Sequence, residues 1–182
     1  VFGAVLEDGG STTDYTTEAN DSTDDDVELL PASPAEDDAF YVGAPYGFDS
    51  LTCGGSTAGV GTWTIVWEYF NGTGWAPLAN VSDGTSGFTA AGENAVTFDH
   101  PRDWAKTDVG GISDMFWVRA RVDSFTSITT QPLGDQLRIG DEPALSDTTP
   151  ADAAAFTVNY NGFARTIRFD QNETIPSTGS DV

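Results

Sequence analysis

The stretch that decides the fold is Trp63-Thr64-Ile65-Val66-Trp67-Glu68-Tyr69-Phe70, followed by Asn71-Gly72-Thr73-Gly74 and Trp75. With side chains alternating across a strand, Trp63, Ile65, Trp67 and Tyr69 share one face, and Thr64, Val66, Glu68 and Phe70 share the other. Both faces are largely apolar, as expected of a central strand covered on two sides. Asn71-Gly72 then supplies residues that tolerate positive φ, so the chain reverses tightly into Trp75. A second run, Met115-Phe116-Trp117-Val118-Arg119-Ala120-Arg121-Val122, separates its faces more cleanly. Phe116, Val118, Ala120 and Val122 point to the core, while Trp117, Arg119 and Arg121 point the other way.

Outward from these two runs the texture repeats. Further strands are expected at Phe40–Gly43, Tyr46–Thr52, Trp75–Leu78, Ala95–Asp99 and Gln136–Ile139, with turn signals about every ten residues. No apolar stripe of helical period is long enough for a major helix, and only Pro101–Lys106 and Pro150–Ala155 suggest single helical turns. The pattern is that of an all-β protein, an antiparallel β-sandwich of jelly-roll or immunoglobulin-like type. Residues 1–37 are rich in Ser, Thr and acids and are expected to form an extended acidic arm that carries at most one edge strand. Residues 38–140 form the sandwich. Residues 141–182 form a linker and a C-terminal hairpin, Phe156–Tyr160 and Phe163–Phe169 joined by Asn161-Gly162. An isolated hairpin is marginal in water, so docking on a sandwich edge or on another subunit is expected of it.

The charge narrows the environment. Twenty-nine acids against seven bases give a net charge of −22. That excludes a nucleic-acid binder held by phosphate contacts and a protein drawn to anionic membrane. Self-repulsion of this size destabilises a folded chain at low ionic strength, whereas the Debye length falls to about 3 Å at 1 M salt. The composition therefore reads as halophilic. Residues 1–101 hold 17 acids and no Lys or Arg, while residues 102–182 hold 12 acids and all 7 bases. This asymmetry suggests an acidic region beside one where Arg pairs with acids, within the chain or on a neighbour. Cys53 stands alone and is expected as a small core residue, without a disulfide framework.

The segment from about Gly61 to Ile139 carries a resemblance. In order it contains Trp67-Glu68-Tyr69-Phe70-Asn71-Gly72, Trp75, Asp83-Gly84-Thr85, Phe88, Gly92, Val96, Phe98, Pro101, Asp103-Trp104 and Phe116–Val122. This string resembles a β-sandwich module of structural proteins in tailed viruses, found in head-surface, tail and baseplate components. Together with the acidic bias it looks like a virion protein of a virus infecting haloarchaea. The resemblance implies a scaffold or attachment role on the extracellular particle and carries no catalytic residues.

Residue constellations give little chemistry. No nucleophile elbow, Walker loop or paired-His zinc motif occurs, and His100, before Pro101, is expected in a surface loop. No enzyme activity and no organic cofactor are expected. Asp24, Asp25 and Asp26, with Asp21, and the pair Asp37 and Asp38, supply hard oxygens at close spacing for a structural Na or Ca ion, although the EF-hand order is absent. Asn20, Asn71, Asn80 and Asn172 each begin an Asn-Xaa-Ser/Thr sequon and are candidate glycosylation sites. Trp117, Arg119 and Arg121 are candidates for a subunit interface, meeting an acidic arm such as Asp24–Glu28; the competing reading has the arginines neutralise Glu68 across strands. The expected partners are further copies of the chain and other virion proteins, with host surface glycans a third class. An alternative function is a carbohydrate-binding or adhesion module of a secreted halophilic protein, which needs Trp63, Trp67 and Trp75 in an exposed row.

Overall fold

The computed structural model describes residues 1–140 and two strands beyond them, at 155–160 and 163–168. In chain order the first strands are β1 (Gly3–Asp8), β2 (Ser11–Asp14), β3 (Val27–Glu28), β4 (Ala39–Ala44), β5 (Ser50–Gly55), β6 (Val60–Phe70), β7 (Trp75–Pro77) and β8 (Ser82–Asp83). There follow β9 (Gly92–Thr97), β10 (Lys106–Val109), β11 (Ile112–Thr130), β12 (Leu133–Gly134), β13 (Leu137–Ile139), β14 (Ala155–Tyr160) and β15 (Phe163–Arg168). One turn of 3₁₀ helix at Glu18–Asn20 is the sole helical element among the described residues.

The two runs that open the sequence argument pair with each other. β6 and β11 are antiparallel neighbours, with Glu68 opposite Arg119 and Trp67 opposite Ala120. They form the middle of a seven-stranded sheet in the order β2-β1-β4-β11-β6-β7, with β10 also paired to β11. β4 reads Ala-Phe-Tyr-Val-Gly-Ala and is buried at every position, because β1 and β11 flank it and both of its faces are covered. A second, four-stranded sheet has the order β13-β5-β9-β8, and β3 pairs with β12 as a short ribbon.

The main core lies between these sheets, so the protein is an all-β sandwich. Ala4 and Leu6 of β1, Phe40 and Val42 of β4, Trp67 of β6, and Val118, Ala120 and Val122 of β11 meet Leu51, Cys53, Val96 and Leu137 of the smaller sheet. The alternation expected for Phe116–Val122 places its core face here, with Phe116 packed against the margin. Past Val122 the β6–β11 pairing shifts register three times, between Val122 and Ser124, Phe125 and Ser127, and Ile128 and Thr130. Each shift adds twist and bend to the ribbon. Beyond it, β12 reaches β3. Asp83-Gly84-Thr85 is the expected turn, braced by its own side chain: Asp83 Oδ1 accepts from the Thr85 N–H and hydroxyl, and Oδ2 from the Gly87 N–H.

Three local readings change. Residues 1–37 are more than an arm with one edge strand: β1 lies inside the large sheet, and Ala4, Val5, Leu6, Val27, Leu29 and Leu30 are buried. Acid-rich surroundings masked these short apolar runs, which fill the places next to β4 and below the β3–β12 ribbon. The strand expected at Tyr46–Thr52 begins only at Ser50, after bends at Pro45-Tyr46 and Asp49. Pro101–Lys106 forms no helix; Arg102 and Asp103 make a turn and Lys106 already opens β10.

The chain divides into two units, Val1–Asp141 and Glu142–Val182. In the second, β14 and β15 form the expected antiparallel hairpin, with Phe156 opposite Ile167 and Tyr160 opposite Phe163. The helical turn expected at Pro150–Ala155 lies outside the described residues, apart from Ala155 at the start of β14.

Candidate functional site

The face of the large sheet turned away from the main core has its own small interior. Val5, Ala39, Tyr41 and Trp117 are buried there, bordered by Trp75, Val109, Ile112 and Met115. Trp117 is 0% exposed although its side chain leaves the sheet on the side away from the core. The sequence explains how. Gly3 and Gly43 leave flat backbone beneath the indole: a methyl group on Gly43 would stand 2.6 Å from Trp117 Cε3, and one on Gly3 2.5 Å from Cη2. The Gly110-Gly111 turn, with φ of 59° and 86°, folds the β10–β11 hairpin tip back so that Gly110 sits against Val5. The Trp117 indole N–H donates to the Thr107 carbonyl at 3.0 Å, tying strand to hairpin.

Beside this interior lies an ion cluster. Glu68, with 8% of its side chain exposed, accepts from Arg119 Nε at 2.7 Å and from Arg121 Nε at 3.2 Å. Arg121 also reaches Asp123 at 2.9 Å and Asp37 at 3.2 Å. Arg119 donates to the Tyr41 hydroxyl at 3.1 Å, and its guanidinium carbon stands 4.5 Å from the centre of the Trp75 ring. Tyr41 and Trp75 meet edge to face at 5.2 Å. A guanidinium held by a carboxylate and faced by aromatic rings is fixed in position, and it neutralises a carboxylate that would otherwise be costly to bury.

This arrangement decides how the arginines of the interface candidate are used. Arg119 and Arg121 spend their charge on Glu68, Asp37 and Asp123 within the same unit, and Trp117 is covered by its own chain. The cross-strand neutralisation is present; contact with Asp24–Glu28 is not among the bonds that either arginine makes. Elsewhere Lys106 pairs with Asp114 and Arg138 with Glu93.

The acidic candidates separate as well. Asp25 turns back at φ 65°, and its Oδ1 accepts from the Ser56 and Thr57 hydroxyls at 2.8 and 2.7 Å. Those hydroxyls, Thr57 foremost, hold its carboxyl below the usual carboxylate range. Asp26 is half-buried, with Oδ1 enclosed and without a hydrogen-bond partner, and burial followed by the Asp21 charge pushes its carboxyl upward. Asp24 is exposed. Asp38 is buried and braces two loops, accepting from the Gly9 N–H at 2.9 Å and the Ala35 N–H at 2.7 Å, while Asp37 goes to Arg121. Among the described residues no three His, Cys, Asp or Glu side chains converge as a metal-ligand set.

The tryptophans proposed for a carbohydrate row do not line up. Trp67 is 4% exposed, Trp63 packs on the main core with its indole N–H donating to Gly87 O, and Trp75 lies on the opposite face against Arg119. Among the described residues the exposed Phe, Tyr and Trp are Phe2 and Tyr46, which meet edge to face at 5.6 Å. Asp103 accepts from the Tyr69 hydroxyl at 2.8 Å, and Cys53 is buried with its thiol pushed upward by desolvation. His100 is exposed, with its ring edge to face with Trp104. Asn172 lies outside the described residues.

No protein-family model matches the chain, and a search of curated proteins finds no relative.

Proposed function

We propose that the protein is a non-enzymatic structural subunit of a halophilic virus particle, a capsid decoration or vertex turret first and a tail or baseplate component second. The observation that carries the reading is the use of charge. Arg119, Arg121, Lys106 and Arg138 are engaged within the first unit, so what that unit offers to solvent is overwhelmingly anionic. Such a surface associates with copies of itself only where salt screens it, as in a particle assembled in brine. The sandwich supplies a rigid body and the separate C-terminal hairpin a segment able to add to a neighbour's sheet edge. A closed homo-oligomer is the default outcome of such contacts.

The test is light scattering coupled to size exclusion across salt, with the intact chain. A defined oligomer in about 3 M NaCl that dissociates or unfolds near 0.1 M supports the reading, since the Debye length rises from under about 3 Å to about 10 Å between these points. A monomer at molar salt that stays folded at 0.1 M overturns it.

A further inference from the structure

The three sequons among the described residues differ in what their side-chain amides are doing. Asn20 donates through Nδ2 to the Thr16 carbonyl at 2.7 Å. Asn80 donates through Nδ2 to the Asp99 carboxylate at 2.7 Å, and its sequon runs straight into β8, where Ser82 pairs with Thr97. Asn71 is arranged the other way round. Its Oδ1 accepts from the Thr73 N–H at 3.0 Å, the Thr73 hydroxyl at 2.9 Å and the Gly74 N–H at 3.0 Å, an Asx turn that closes the β6–β7 hairpin. Two of those donors are backbone amides, so the assignment of oxygen and nitrogen in this carboxamide is forced by the network. The nitrogen is left on the branch facing away from the turn, with no hydrogen-bond partner among the described residues. Asn71 is half-buried beside the exposed Gly72 and Thr73, whereas Asn20 and Asn80 are exposed, so the contrast between the sites rests on the hydrogen bonding of the amide nitrogen.

We infer that Asn71 is the acceptor among these three for an N-linked oligosaccharide on the folded protein. The co-reactants are a lipid-phosphate-linked oligosaccharide and the transferase that carries it. Asn71 Nδ2 forms a bond to the sugar C1 as the C1–O bond to the lipid-linked phosphate breaks. The phosphate leaves with the bonding electrons, and Nδ2 gives up one proton to a carboxylate base of the transferase. The turn uses the oxygen of the carboxamide and the transfer uses the nitrogen, so the nitrogen of Asn71 has no hydrogen bond to leave. At Asn20 and Asn80 the nitrogen must first leave a hydrogen bond, and at Asn80 the acceptor is a charged carboxylate. The inference stands apart from the assembly reading and survives its failure.

The experiment presents the full chain, carrying Asn172→Gln and shown folded by tryptophan fluorescence in the reaction buffer, to a single-subunit oligosaccharyltransferase that requires only Asn-Xaa-Ser/Thr. Peptide mapping by mass spectrometry reads occupancy at each site, and short synthetic peptides spanning the same sequons measure their intrinsic acceptor strength. Relative to its peptide, Asn71 is expected to exceed Asn20 by about two- to tenfold and Asn80, whose partner is a charged carboxylate, by about tenfold or more, the equilibrium cost of opening one such bond. Asn71→Gln removes the glycan, and Thr73→Ser retains it. The inference is overturned if Asn20 or Asn80 matches Asn71 on this scale. It is equally overturned if the Asn71 peptide is modified and the folded hairpin is not.

Discussion

Replacing Glu68 with Gln isolates the ion cluster from the rest of the charge on this protein. Gln has nearly the shape of Glu, so packing is retained, but one carboxylate oxygen becomes an NH₂ facing guanidinium donors. Arg121 keeps Asp37 and Asp123, whereas Arg119 keeps only the Tyr41 hydroxyl and the Trp75 face. Breaking one side of a buried pair costs about 3–5 kcal/mol. The side chain of Arg119 is 15% exposed and retains those two partners, which places the loss near the lower end, at about 3 kcal/mol. For a chain of this length that lowers Tm by roughly 6–12 °C. The assay is urea unfolding in molar salt followed by tryptophan fluorescence, in a double-mutant cycle with Arg119→Met; the expected coupling is about 2 kcal/mol. A shielded pair is poorly screened, so the deficit should persist from low salt to high. A loss below about 1 kcal/mol, or one that vanishes at molar salt, would show the cluster to be an ordinary surface pair and refute the reasoning.

Two further outcomes follow from the same face and from the acidic loop. Gly43→Ala places a methyl group against the Trp117 ring, which has nowhere to move, and should cost about 1–3 kcal/mol in the same urea assay, with a changed near-ultraviolet circular dichroism signal from the displaced indole. Asp26 has a carboxyl raised in the folded state, so folding favours its protonated form and its ionisation weakens the fold above that raised value. Asp26→Asn should therefore raise the urea midpoint at pH 7, and the gain should narrow as pH falls through the acid range; an equal gain at every pH would refute the sign.

The alternation in Phe116–Val122 was enough to read which side chains face the core, because a strand whose core face is set has only one workable register. The hairpin at Asn71-Gly72 was legible for the same local reason. What lay beyond reach was coverage. That Trp117 leaves the sheet on the outer side follows from its position in the strand; that it is fully enclosed depends on Gly3, Gly43 and Gly110, three residues scattered along the chain that meet only after folding. β1 was hidden differently, since Ala4-Val5-Leu6 is a short run inside an acidic segment, and its place follows only from the need of the fully apolar β4 for a neighbour on each side. The metal reading of Asp24, Asp25 and Asp26 drew on spacing alone, and spacing cannot say that Asp25 turns away to hold Ser56 and Thr57.

The central position of β11 has a consequence for biosynthesis. Until that strand leaves the ribosome the large sheet exists only as two fragments, β2-β1-β4 and β6-β7, which share no ladder. Their exposed edges are the kind that aggregate while a nascent chain waits. Throughout that wait the 111 residues ahead of β11 carry 19 acids against two bases, Arg102 and Lys106, so neighbouring nascent chains repel one another. The cations that silence Glu68 are delivered by β11 itself, in the same step that closes the sheet. Folding and partial charge neutralisation thus become a single late event in the life of the polypeptide.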